Sequence, residues 1–82
     1  MITEVDVRAA IAKTVPHIDA SVVSAQALFQ TAGMDSLDHF NILFELETKH
    51  GLVFSGEDIA QLSSIQQIVE FSNRAEKFQA PI

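Results

Sequence analysis

No cysteine occurs in these 82 residues, so neither a disulfide nor a thiolate zinc site can staple the chain. Cysteine usage therefore carries no signal about compartment. The chain also lacks any run approaching the ~20 apolar residues that a membrane-spanning helix needs. Glu4, Asp6 and Arg8 interrupt the N-terminus where a signal peptide would carry its apolar stretch. A soluble, cytoplasmic location is the expectation. Basic residues are scarce, five Lys and Arg against eleven Asp and Glu, for a net charge of −6. That sign disfavours nucleic acid, whose phosphates must be neutralised by Lys and Arg, and anionic membrane surfaces. It suits basic protein partners, drawn by long-range attraction, although the same charge also serves simply to keep a small domain soluble. A length of 82 residues implies one domain near the lower limit of what a single core can stabilise unaided. The 48% apolar content is enough to supply that core.

No strand-like alternation or internal repeat is present, and the apolar spacing is helical. Thr3 followed by Asp6 marks a helix start, with a capping hydroxyl and an acid near the positive end of the dipole. Val7, Ala10, Ile11, Thr14 and Val15 continue it, and Pro16 ends it, because the residue before a proline is pushed out of the α region. Residues 16 to 34 hold no periodic run and read as a long loop pinned by Val22-Val23 and Leu28-Phe29. A loop of that length in a small domain often serves function. The second helix is predicted from Asp35 or Ser36 to His50, with Gly51 as its C-terminal cap. Stepping about 100° per residue places Asp38, Asn41, Glu45, Thr48 and Lys49 on one polar arc. Leu37, Phe40, Ile42, Leu43, Phe44 and Leu46 cover most of the remainder. Such wide apolar coverage means either a central helix or one whose Phe40 and Phe44 lie at the edge and face a partner. Glu57 to Leu62 forms a short helix. Ser64 and Gln67 form a capping-box pattern for a last helix, whose buried stripe is Ile65, Ile68, Val69 and Ser72, with Phe71 beside it. The tail from 79 to 82 is expected to fray. The fold class is all-α, a small antiparallel bundle of three main helices plus one short helix.

The most informative stretch is Gly33-Met34-Asp35-Ser36-Leu37-Asp38. It sets a serine between two carboxylates where the loop gives way to the second helix. Asp35 and Ser36 both suit an N-cap, and a helix N-terminus also suits an attached phosphate. This stretch resembles the attachment site of acyl carrier proteins, in which the serine of Asp-Ser-Leu receives 4'-phosphopantetheine. Leu28-Phe29 upstream and the Ser-Ser-Ile-Gln-Gln-Ile-Val helix downstream extend the resemblance over roughly residues 3 to 75.

The resemblance implies an acyl-carrier-like domain over the whole chain, with Ser36 bearing the arm supplied from coenzyme A by a phosphopantetheinyl transferase. The arm's thiol then carries an acyl group as a thioester to acyl-transferring or condensing enzymes or to an acyl ligase. Such a chain is a monomeric cosubstrate, not an enzyme. Asp35, Leu37 and Asp38 would be read by the transferase, and the second helix would be the main recognition surface, through Phe40, Asn41, Phe44, Glu45, Glu47 and Thr48. Fatty-acid carriers usually have several glutamates along that helix. Here Asn41, Thr48 and Lys49 stand where acids are common, which weakens steering by basic partners. A specialised carrier with its own ligase or synthase is therefore open beside the general fatty-acid one. So are an aminoacyl, hydroxyacyl or polyketide cargo, and an unmodified helical module engaging a partner through Phe40, Phe44 and the polar arc.

Other chemistry finds little support. His39 and His50 lie three turns apart, roughly 16 Å, too far to share a metal ion. Both face the apolar arc and are expected to be partly covered, in a packing role, with Asp35 and His39 forming an i, i+4 charge pair. Asp35 and Asp38 lack the spacing of a calcium loop, so no metal site is expected. Ser36 lacks a Gly-x-Ser-x-Gly elbow, and the chain is too short to build both a pocket and a triad.

Overall fold

The computed structural model describes residues 2–78, with side chains through residue 74. The element order is α1 Glu4–Thr14, a short 3₁₀ turn Ala20–Val22, α2 Ser36–His50, α3 Gly56–Gln61 and α4 Ile65–Phe78. It is the expected all-helical bundle. The expected fraying of residues 79 to 82 lies outside the described residues.

Three of the helices begin in the same local device. Thr3 Oγ1 accepts from the Asp6 N–H while Asp6 Oδ2 accepts from the Thr3 N–H, and Asp35 with Asp38 and Ser55 with Asp58 repeat the exchange. Each pair satisfies two otherwise orphaned donors within one turn. The Ser64–Gln67 box forms only by half. Ser64 Oγ accepts from the Gln67 N–H at 3.2 Å, but the Gln67 side chain accepts from the Ser63 N–H at 2.8 Å rather than from that of Ser64. α1 stops at Thr14, before Pro16, and α2 ends on Gly51 in the left-handed region at φ 69°, its N–H donating to the Glu47 carbonyl.

The core is filled by Val7, Ala10, Ile11 and Val15 from the α1 segment, Ile42, Leu43 and Leu46 from α2, and Ile65 and Ile68 from α4. α3 buries no residue of its own, but its C-cap Leu62 is buried. Ser72 is buried as well, and its hydroxyl accepts from the Ile2 N–H at 3.3 Å. Val69 and Phe71 are half-buried, so the α4 stripe is narrower than its sequence pattern suggests.

The loop from 16 to 34 is pinned differently from expectation. Of each apolar pair only the second member is buried: Val23 and Phe29 are inside, whereas Val22 and Leu28 are exposed. The 3₁₀ turn is responsible in the first case, since it turns Ala20 inward and Val22 outward. Main-chain bonds do the rest. Phe29 N–H donates to the Ser63 carbonyl at 2.8 Å, and Gln66 N–H donates to the Ala25 carbonyl at 2.9 Å. Arg8 adds a side-chain clamp: its guanidinium donates to the Ala20 and Val23 carbonyls and pairs with Glu4.

Charge-assisted bonds to carbonyls that have little other access to water make Arg8 a stabilising residue. Arg8→Ala is expected to cost about 2 kcal/mol in urea unfolding, with Arg8→Lys recovering part of it. A second test concerns pH. The hydrogen bond from the Thr3 N–H holds the Asp6 carboxyl below its ordinary 3.8. A depressed carboxyl stabilises the fold above its unfolded pKa, and this is lost as pH falls through the folded value. Asp6→Asn should therefore flatten the acid limb of the stability profile below about pH 4, as read by thermal melting.

Candidate functional site

The loop reaches α2 through a tight turn closed by Phe29. Met34 N–H donates to the Phe29 carbonyl at 2.9 Å, and Gly33 N–H to the Gln30 carbonyl at 3.3 Å. Gly33 sits at φ 93°, a conformation that residues with a Cβ avoid. Met34 is then buried, so the chain enters the helix with Met34 inside and Asp35 outside. Asp35 is the N-cap: its Oδ1 accepts from the Asp38 N–H at 2.8 Å, and Asp38 Oδ2 accepts from the Asp35 N–H at 3.2 Å.

Ser36 is consequently the first residue of the helix, and it is exposed. Among the described residues its hydroxyl has no hydrogen-bond partner. The Asp38 N–H is taken by the cap and the His39 N–H by the Asp35 carbonyl. The Ser36 and Leu37 N–H groups are left pointing out of the helix N-terminus, where the dipole favours a negative group. A phosphodiester on Ser36 fits this position, since two free amides and the dipole face it and the flanking carboxylates are engaged in capping. Beside the serine opens a pocket of about 530 Å³ lined by Leu28, Phe29, Met34, Ser36, His39 and Ser63 among others. Met34, His39 and Ser63 are not among the residues that the sequence marked as a site. Only the helical offset of His39 from Ser36 could have drawn attention to it.

The recognition residues expected on α2 are spread over two faces. Leu37, Phe40 and Phe44 are exposed at 66%, 49% and 57%, and the two phenyl rings lie nearly parallel with centroids 6.4 Å apart. Of the two readings of this helix, a central position is ruled out and the edge position holds for Phe40 and Phe44. Thr48 shares the exposed side, its hydroxyl donating to the Phe44 carbonyl, and Asn41 is half-buried. Two of the polar-arc acids instead border neighbouring segments. The Glu45 side chain is only 17% exposed and meets Lys13 of α1 at 3.0 Å. The Asp38 side chain is 18% exposed and lies 3.8 Å from His17. Glu47 accepts from the Phe54 N–H at 2.8 Å.

The histidines also need correction. Both are half-buried, as expected, but the Asp35–His39 charge pair does not form. His39 Nε2 lies 2.6 Å from the Leu62 carbonyl oxygen, and its ring meets that of Phe29 edge-on. Among the described residues no three His, Asp or Glu side chains gather as a metal set, and no helix is long and apolar enough to cross a membrane.

The arrangement is an all-helical bundle with an exposed serine at the start of its second helix. Residues 6–72 match the family model described as the phosphopantetheine attachment site. The chain belongs to that family, whose members carry 4'-phosphopantetheine covalently and receive it from a phosphopantetheinyl transferase.

The positive φ at Gly33 makes the approach to Ser36 testable. A Cβ there would meet Ile18 Cδ1 at 3.5 Å, an ordinary contact, so the cost of Gly33→Ala is conformational. It should lower stability by about 1–2 kcal/mol in chemical unfolding.

Proposed function

We propose that this protein is an acyl carrier, that Ser36 is the residue bearing the arm, and that its partners are those of a specialised acyl synthesis. The observation that carries the first part is the exposed Ser36 hydroxyl at the head of α2, with two amides free beside it. In the modification, Ser36 Oγ loses its proton and forms a bond to the phosphorus of coenzyme A that bears the pantetheine. The bond to the other phosphate breaks, and the adenosine bisphosphate leaves. The arm's thiol then supplies thioester chemistry. The chain's own residues position it: Asp35 and Asp38 fix the helix start, Gly33 and Met34 set the loop, and the helix N-terminus receives the phosphodiester.

The partner face on this reading is Leu37, Phe40, Asn41, Phe44 and Thr48. Transferase recognition is assigned to Asp35, Leu37 and Asp38. Support for a specialised role comes from the acids. Glu45 is drawn into an ion pair with Lys13 and Glu47 into a bond with the Phe54 N–H. The strip leading away from Ser36 is therefore apolar and uncharged at its centre, and it offers a basic enzyme surface little to grip. Exposed aromatic side chains are strong anchors for a protein partner. The cargo on this reading is an acyl group.

Incubation with coenzyme A and a broad-specificity phosphopantetheinyl transferase, followed by intact mass, tests the attachment. One phosphopantetheinyl group should be gained, and none by Ser36→Ala. A folded wild-type protein that gains nothing would make an unmodified interaction module the better account.

A further inference from the structure

The His39 imidazole is the most heavily committed polar side chain near Ser36. A carbonyl oxygen only accepts, so the 2.6 Å contact with Leu62 requires the proton on Nε2. Leu62 is the C-cap of α3, and its own N–H is bonded to the Asp58 carbonyl. The other side of the ring packs edge-on against Phe29, with centroids 5.5 Å apart, and the Phe29 N–H holds the Ser63 carbonyl. One ring thus joins α2, the long loop and the α3–α4 junction. Phe29, His39 and Ser63 are also walls of the pocket beside Ser36. Phe29 and Met34, both pocket walls, belong to the same buried cluster as Ile42, Leu46, Leu62, Ile65 and Ile68.

An apolar chain tethered at Ser36 lowers its free energy by leaving water, and the gain grows with each methylene. That buried cluster is a dry destination. His39 lines the pocket, and its bond to Leu62, a member of that cluster, ties the pocket wall to the core. Opening it exposes a buried carbonyl and separates the ring from Phe29, both of which oppose entry. The pocket has polar walls at Gln30, Asp35, Ser63 and His39 beside apolar ones at Leu28, Phe29 and Met34, so a short or polar group finds partners there without entering the core.

We propose that His39 is a latch that sets cargo class. It bars long apolar chains from the helical core and keeps the carrier's cargo short or polar and accessible at the pocket beside Ser36. The latch acts by position and touches no reacting atom. This inference rests on Ser36 bearing the arm, and intact mass checks that separately, since a failed loading is visible before any latch is measured.

The experiment loads wild type, His39→Ala, His39→Leu and His39→Gln with butanoyl or decanoyl thioesters and follows their cleavage by hydroxylamine at fixed pH. The readout is the ratio of butanoyl to decanoyl cleavage rates within each protein, which general loosening of the fold does not raise. Wild type should cleave the two within about twofold of each other, whereas His39→Ala should cleave decanoyl at least about fivefold more slowly than butanoyl. His39→Leu keeps the ring's bulk without the donor and serves if the alanine variant fails to fold; it should also protect decanoyl. His39→Gln restores a donor toward Leu62 and should return the ratio toward wild type. A wild-type protein that protects decanoyl as well as the variants do, or folded variants whose ratio is unchanged, would overturn the latch.

Discussion

The burial of Phe29 and the bond from its N–H to the Ser63 carbonyl hold the rest of this molecule in register. The segment between α1 and α2 is long and largely irregular, and backbone without partners cannot be left in a dry interior. Phe29 solves this at one point. Its side chain enters the core, its N–H reaches the α3–α4 junction, and its carbonyl accepts from Met34 N–H to close the turn before α2. That anchor, with the Gln66–Ala25 bond and buried Met34, fixes the loop before Ser36. Arg8 performs the complementary task at the other end, holding the carbonyls of Ala20 and Val23 against α1.

The site is then assembled almost wholly by short-range chemistry. Asp35 and Asp38 exchange hydrogen bonds across one helical turn, which fixes where α2 starts and makes Ser36 its first residue. Because those carboxylates are occupied, they neutralise orphaned amides and do not compete for the open N-terminus. Ser36 is left with an exposed hydroxyl at a helix N-terminus, a position that suits a negative group.

The outward face of α2 shows how a helix wheel can be right about angles and still misleading about function. The wheel correctly separates Asp38 and Glu45 from Phe40 and Phe44. It cannot say that α1 and the segment after it lie on the polar side, where Lys13 pairs with Glu45 and His17 lies near Asp38. Nor can it say that the aromatic pair is what remains facing water. The polar arc is thus partly a seam within the molecule, and the exposed strip from Leu37 to Phe44 is the apolar part. His39 is a similar case. Asp35 lies one turn before it, yet the ring turns to Leu62, 23 residues away, because a part-buried carbonyl gains more from a donor than an exposed, already capping carboxylate does.

What the sequence determined by itself is what depends on residues a turn apart. The starts at Thr3, Asp35 and Ser64, the stops at Pro16 and Gly51, the helical class of the fold and the position of Ser36 at a loop–helix junction were all legible. Each rests on a cap, a backbone restriction or a period that acts within a few residues. The Ser55–Asp58 box was not read, and the short helix begins at Gly56 rather than at the expected Glu57. What only the tertiary structure decided is which side of each element meets a neighbour. That Val23 rather than Val22 and Phe29 rather than Leu28 are buried, that Glu45 turns to Lys13, and that His39 turns to Leu62 all depend on contacts between segments distant along the chain. The free energy of a buried or paired side chain is set by what the fold brings against it, and no local pattern carries that information.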